Sequence, residues 1–137
     1  MNLDDITSGK LNGKIIWVCH YNRPDLKKKA LRNVPPTRVI VRGNNELPKR
    51  KTVYYSNSFF SPLNKNDEPM SKVIAPFDNT GYRSFAGNPL HVFDNQEDCE
   101  QAWNDDVIEV TVRLNERIAN IVNELQDELS AITKLLK

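Results

Sequence analysis

Apolar positions along this 137-residue chain follow two different periods, and the change from one to the other divides it. From Val107 onward apolar residues recur at 107, 110, 114, 118, 121, 125, 129, 132 and 136. Steps of three and four in that order make an eleven-residue repeat, close to 3.67 residues per turn, so the stripe runs nearly straight along an α-helix. Before residue 94 the apolar residues come instead in short β-branched and aromatic runs separated by turn chemistry. Lys14 to Cys19 (KIIWVC) follows the turn dipeptide Asn12-Gly13 and predicts a mostly buried strand. Thr37 to Arg42 alternates Val39 and Val41 against Arg38, Ile40 and Arg42. With Lys51 to Tyr55 across a polar loop, it predicts an antiparallel hairpin. Ser71 to Ala75 and Leu90 to Phe93 are further short strands.

Helix breakers follow the same division. All 8 prolines and all 5 glycines precede residue 90, and 10 of the 11 aromatic residues precede residue 94. Asp94 and Glu97 have capping-box spacing, and Asn95 is an equally good cap, so a helix starts there. Acids at 97, 98 and 100 suit the positive end of its dipole. The β-branched cluster 107–112 has mediocre helix propensity and predicts a kink or break near 104–110. The pattern as a whole predicts an α+β protein, with a small N-terminal antiparallel sheet followed by one long or two consecutive C-terminal helices. It reads as a single domain, 1–137, with a β part (1–93) and a helical part (94–137).

An unbroken helix over 95–136 would span about 63 Å at 1.5 Å per residue, against a radius of gyration of about 12–13 Å for a front of this size. One small sheet cannot cover that stripe. With no Gly or Pro after residue 89 to turn the helix back, partner copies are its expected cover, and hence a homo-oligomer.

Charge sharpens the division. Residues 1–93 carry 15 basic and 7 acidic side chains, residues 94–137 carry 4 basic and 11 acidic ones, and the net charge of +1 conceals a dipolar chain. Arg113 and Arg117 are the only cations between residues 84 and 133. They lie one turn apart on one face, with Glu109 and Glu116 near enough to pair with them. An anion site and a local or intersubunit ion pair are the two readings. Lys27-Lys28-Lys29 and Lys49-Arg50-Lys51 are basic triplets, either polyanion-binding or simply solvated.

Catalytic signatures are scarce. The two histidines, His20 and His91, lack a nucleophile context, and neither a P-loop nor a Gly-x-Gly-x-x-Gly is present, so no enzyme activity is expected. Cys19-His20 and His91 with Cys99 supply the donor types of a zinc site without its usual paired spacing. Buried thiols are therefore expected, with no metal and no cofactor. The opening MNLDDITSGK has no apolar run and no stretch is long enough for a membrane span, so a cytoplasmic protein is expected. Binding chemistry is richer. His20 to Asp25 (HYNRPD) ends a buried strand, and Ala75 to Leu90 (APFDNTGYRSFAGNPL) repeats the same Asn, Arg and aromatic inventory on a loop too long to be idle. Such groups stack on bases and fork onto phosphates.

The succession CHYNRPDL, PPT, YYSN, SKVIAPFDNTGYRS and PLHVFDNQEDC, leading into a long C-terminal helix, resembles the phage Thoeris anti-defence proteins of the first type over about residues 14–130. The resemblance implies a non-enzymatic sponge: a sheet with C-terminal helices, assembled through those helices as a dimer or hexamer in the host bacterial cytosol. It would sequester a cyclic ADP-ribose isomer without cleaving it, with cyclic oligonucleotides as further ligands. By the same resemblance Phe85 stacks on a base, Asn95 makes a polar contact, Arg113 and Arg117 hold phosphate, and Tyr82 and Arg23 contribute more weakly. The alternative is a small nucleic-acid-binding phage regulator using the basic clusters, although nucleic acid is not the expected partner.

Overall fold

The computed structural model of the protein describes residues 1–19, 34–77 and 90–137. The chain is α+β. A short helix α1 (Leu3–Thr7) precedes strands β1 (Ile15–Cys19), β2 (Thr37–Gly43), β3 (Ser58–Pro62) and β4 (His91–Phe93), and a long helix α2 (Gln96–Thr133) follows. The strands form one antiparallel sheet in the order β3-β2-β1-β4.

The period-two alternation in β1 places Ile16 and Val18 on one face of the sheet, and register brings Val39 and Val41 of β2 and Phe60 of β3 to the same side. With Ile6, Ile74 and Leu90 these residues form the buried core. Ile6 belongs to α1, an element the sequence pattern did not reveal. Asn2 caps it by accepting from the Asp4 N–H at 3.0 Å, and Ile6 is its one buried residue. The turn before β1 is as expected, with Gly13 at φ +89°, a left-handed conformation that suits glycine.

The expected hairpin between 37–42 and 51–55 does not form. β2 pairs with β3, Arg42 opposite Phe59 and Val41 opposite Phe60. Burial accounts for the difference. Every residue of β3 is buried, whereas Val53 is the one buried residue between Lys51 and Tyr55. Two adjacent phenylalanines gain more from burial than Thr52-Val53-Tyr54-Tyr55 gains from β propensity. Tyr55, at φ +62°, is also outside strand geometry. The run 71–75 supplies only an isolated bridge, Ile74 to Phe60, and Leu90–Phe93 becomes β4.

The other face of the sheet carries Trp17 and Cys19 opposite Phe93 and His91. α2 packs there, against β1 and β4. Its contacts come from its first turns: Cys99 is fully buried and Ala102, Trp103 and Asp106 are partly so, at the i, i+3, i+4, i+7 spacing of one helix face. The break anticipated near 104–110 is absent, and α2 runs continuously for 38 residues, about 57 Å. Thr111 Oγ1 donates to the Val107 carbonyl at 2.8 Å, a side-chain bridge from Arg113 to Glu109 lies across the cluster, and one from Gln101 to Asp105 precedes it. The two i,i+4 side-chain pairs offset part of the weak propensity.

Beyond Leu114 every residue of α2 is exposed. The stripe from Ile118 to Leu136 therefore projects past the sheet uncovered. Among the described residues no helix is long and apolar enough to cross a membrane.

Candidate functional site

The start of α2 is held at two points. Asn95 is its N-cap: its Oδ1 accepts the Asp98 N–H at 2.9 Å, and its Nδ2 donates to Asp98 Oδ2 at 3.0 Å. The capping choice left open between Asp94 and Asn95 thus falls to Asn95. Asp94 instead receives Lys14 Nζ at 3.0 Å, linking the approach to β1 with the approach to the helix. Both ends of the Asn95 amide are engaged by Asp98, which accounts for this residue as a cap whatever else it touches.

Below this terminus Cys19 and Cys99 meet between sheet and helix. Both are fully buried and free, and the Cys19 thiol donates to the Cys99 carbonyl at 3.8 Å. Burial holds both thiols above the ordinary thiol range, and for Cys19 the neighbouring Cys99 and Asp106 add to the rise. Such thiols stay protonated and are poor nucleophiles. His91, opposite Cys19 across the β1–β4 ladder, lies 3.2 Å from Asp106 through its Nε2. His20 lies outside the described residues. Among the described residues no three His, Cys, Asp or Glu side chains gather as metal ligands.

Farther along α2, Arg113 and Arg117 share one face with Val110, Leu114, Glu116 and Asn120, and the six line a shallow open groove of about 270 Å³. Spacings of three and four residues make this arrangement unavoidable once the helix is continuous. Arg113 Nη2 donates to Glu109 Oε1 at 2.7 Å, with both side chains about half exposed. An exposed i,i+4 pair of this kind contributes only about 0.3–0.5 kcal/mol, so an incoming anion can displace it. Arg117 has no ion-pair partner among the described residues. Asn120 and Glu116 were not singled out as site residues in sequence. The i+3 and i+7 positions from Arg113 would have identified them.

Phe85, Tyr82 and Arg23 lie outside the described residues, as do the HYNRPD segment, the Lys27 triplet and most of the loop between Ala75 and Leu90. Within the helix, Asn95 and Arg113 are 18 residues apart, a separation of about 27 Å. One chain cannot place both on the same small molecule. Comparison with protein families, curated proteins and solved structures finds no match for this chain.

Proposed function

We propose that the protein is a phage anti-defence sponge that binds a cyclic ADP-ribose isomer and sequesters it without cleavage, with cyclic oligonucleotides as a second ligand class. One observation carries the reading most directly: two arginines, one held by a weak surface pair and one without an ion-pair partner among the described residues, flank an amphipathic groove on a helix that is otherwise acidic. A doubly phosphorylated nucleotide suits that groove, since guanidinium forks pair with phosphate oxygens while Val110 and Leu114 accept apolar surface. The resemblance over about residues 14–130 supports the same ligand class.

The groove is smaller than the 300–1,000 Å³ typical of small-molecule sites and is open along one side. A second copy laid on the exposed stripe would close it. The 27 Å between Asn95 and Arg113 leads to the same arrangement, because both can touch one ligand only if different copies supply them. The functional unit is therefore a homo-oligomer, dimer or hexamer, acting in the host cytosol. Phe85 and Tyr82 provide stacking surfaces and Arg23 a further cation, and the chemistry needs no catalytic group, metal or cofactor.

Calorimetric titration with a panel of cyclic ADP-ribose isomers and cyclic dinucleotides tests the proposal. Ligand should disappear from solution on incubation and return intact after heat denaturation, whereas recovery of a cleaved product would replace sequestration with catalysis. Arg113→Ala and Phe85→Ala should each abolish capture while leaving the oligomer intact. Unchanged capture in both variants would reject the site.

A further inference from the structure

The segment joining β2 to β3 has chemistry that neither the core nor the arginine groove uses. Its first part turns at Pro48–Lys51, closed by the Lys51 N–H donating to the Pro48 carbonyl at 3.2 Å, with Arg50 at φ +70°. That position of such a turn normally takes glycine. Five residues later Tyr55 is again left-handed, at φ +62°. Two bulky residues in this conformation within one short segment are costly, and such conformations persist only where the surroundings over-determine them.

The surroundings do so from the base of the loop. Val53 is buried. Asn44 Nδ2 donates to the Ser56 carbonyl at 2.7 Å, the buried Ser56 hydroxyl donates to the Ser58 carbonyl at 2.7 Å, and the Asn57 N–H donates to the Thr7 carbonyl at 2.7 Å. These contacts hold a scaffold that turns Tyr54 and Tyr55 outward, 60% and 61% exposed. Lys49, Arg50 and Lys51 are exposed beside them in sequence, and no acidic residue occurs from Leu47 to Asn66. The nearest acid before them, Glu46, is already paired with Arg42 at 3.5 Å. Among the described residues Lys10, Lys14, Arg38, Arg42 and Arg113 each have a carboxylate partner, and the three cations of this loop have none.

We propose that the loop 47–57 is a second binding surface, for single-stranded nucleic acid, in which Tyr54 and Tyr55 stack on unpaired bases and Lys49, Arg50 and Lys51 follow the phosphates. Exposed aromatic faces and a neighbouring run of cations are the two components of sequence-tolerant single-strand binding. The phenols favour unpaired bases over duplex, whose base faces are already stacked. They also favour nucleic acid over a lipid surface, because Val53, the aliphatic residue next to the rings in sequence, is buried and the residues flanking the rings on either side, 49–52 and 56–57, are polar or charged. This surface is separate from the arginine groove of α2, so either can fail without the other.

Fluorescence anisotropy of a labelled oligothymidylate, an abasic oligomer of the same length and the matching duplex, each titrated with the full-length protein, tests the assignment. The oligothymidylate should bind more tightly than the abasic strand and the duplex. Three phosphate contacts predict a slope of about −2 for log affinity against log salt. Tyr54→Ala should weaken binding about 5- to 150-fold, and Tyr54→Phe should restore it. Both substitutions fall on an exposed ring, and thermal unfolding alongside confirms that each variant folds. No binding of oligothymidylate at low salt would overturn the proposal, as would affinity unchanged by Tyr54→Ala and Tyr55→Ala together. Retention on anionic phospholipid vesicles with none on the oligonucleotide would overturn it in favour of a membrane surface. Affinity for oligothymidylate lost in Arg113→Ala but kept in Tyr54→Ala would place the strand in the groove of α2 and overturn the proposal, whereas failure of nucleotide capture leaves this titration unaffected.

Discussion

Leu125→Asp separates assembly from folding. Leu125 is 58% exposed and lies on the stripe with Ile118, Ile121, Leu129 and Ile132, each at least half exposed. Full burial of a leucine side chain contributes about 1.5–3 kcal/mol, so covering the remaining 58% contributes about 1–1.7 kcal/mol. In a two-fold assembly the substitution counts twice, about 2–3.5 kcal/mol, or roughly a 30- to 300-fold weaker association before the burial of an unpaired carboxylate is added. In the isolated chain the same change costs only helix propensity, about 0.5 kcal/mol, since nothing beyond Leu114 packs on the sheet. Sedimentation velocity over a concentration series should show wild-type oligomers, a Leu125→Asp monomer, and a Glu124→Gln control that behaves like wild type. Helicity should also fall on dilution, because about 19 uncovered residues of α2 form a marginal helix alone. A wild-type chain that sediments as a 15.7 kDa monomer throughout, or a variant indistinguishable from it, would refute the reasoning.

Two further outcomes follow from the helix start and the thiols beneath it. Asn95→Ala removes the acceptor for the Asp98 N–H and should lower stability by about 1 kcal/mol, read as a fall of several degrees in Tm. Asn95→Ser should restore most of it, and if Ser also abolishes nucleotide capture then Asn95 serves the ligand as well as the cap. Because burial raises the Cys19 and Cys99 thiols above their unfolded value of about 8.5, their stabilisation is complete below that pH. It is lost as pH rises from there toward the folded values, at up to about 1.4 kcal/mol per pH unit per thiol. Urea unfolding between pH 8 and 10 should show this decline in wild type, and a much weaker one after Cys19→Ala with Cys99→Ala. Parallel pH profiles would contradict it.

Much of the fold was legible where spacing is local. β1, β2 and β4 follow within a residue or two from short β-branched and aromatic runs, with alternation in β2, and the start and direction of α2 from caps and a three-four stripe. The same stripe made Arg113 and Arg117 conspicuous, since two cations on an acidic helix stand out without coordinates. Three features were misread or unseen for related reasons. α1 is a five-residue helix with one buried side chain, too short for a periodic signal. β3, Ser-Phe-Phe-Ser-Pro, does not alternate because both of its faces are buried. The expected kink or break near 104–110 rests on the low helix propensity of the cluster 107–112, and i,i+4 side-chain pairing accompanies a helix that runs through it.

The amino-acid sequence by itself determined the division into a turn-rich front and a helical back, the start of the helix to within a residue, and a stripe longer than any sheet of this size can cover. These follow from periods of two and of three to four residues, which act within a few turns of the chain. Tertiary structure decided what depends on distant partners. It decided which apolar run pairs with β2, that Cys19 meets Cys99 across 80 residues, and that Asn95 and Arg113 stand too far apart to share a ligand within one chain. It also turned Tyr54 and Tyr55 outward when burial of Phe59 and Phe60 took the place beside β2. Long-range pairing is settled by which surfaces leave water together, and that competition has no signature in local spacing.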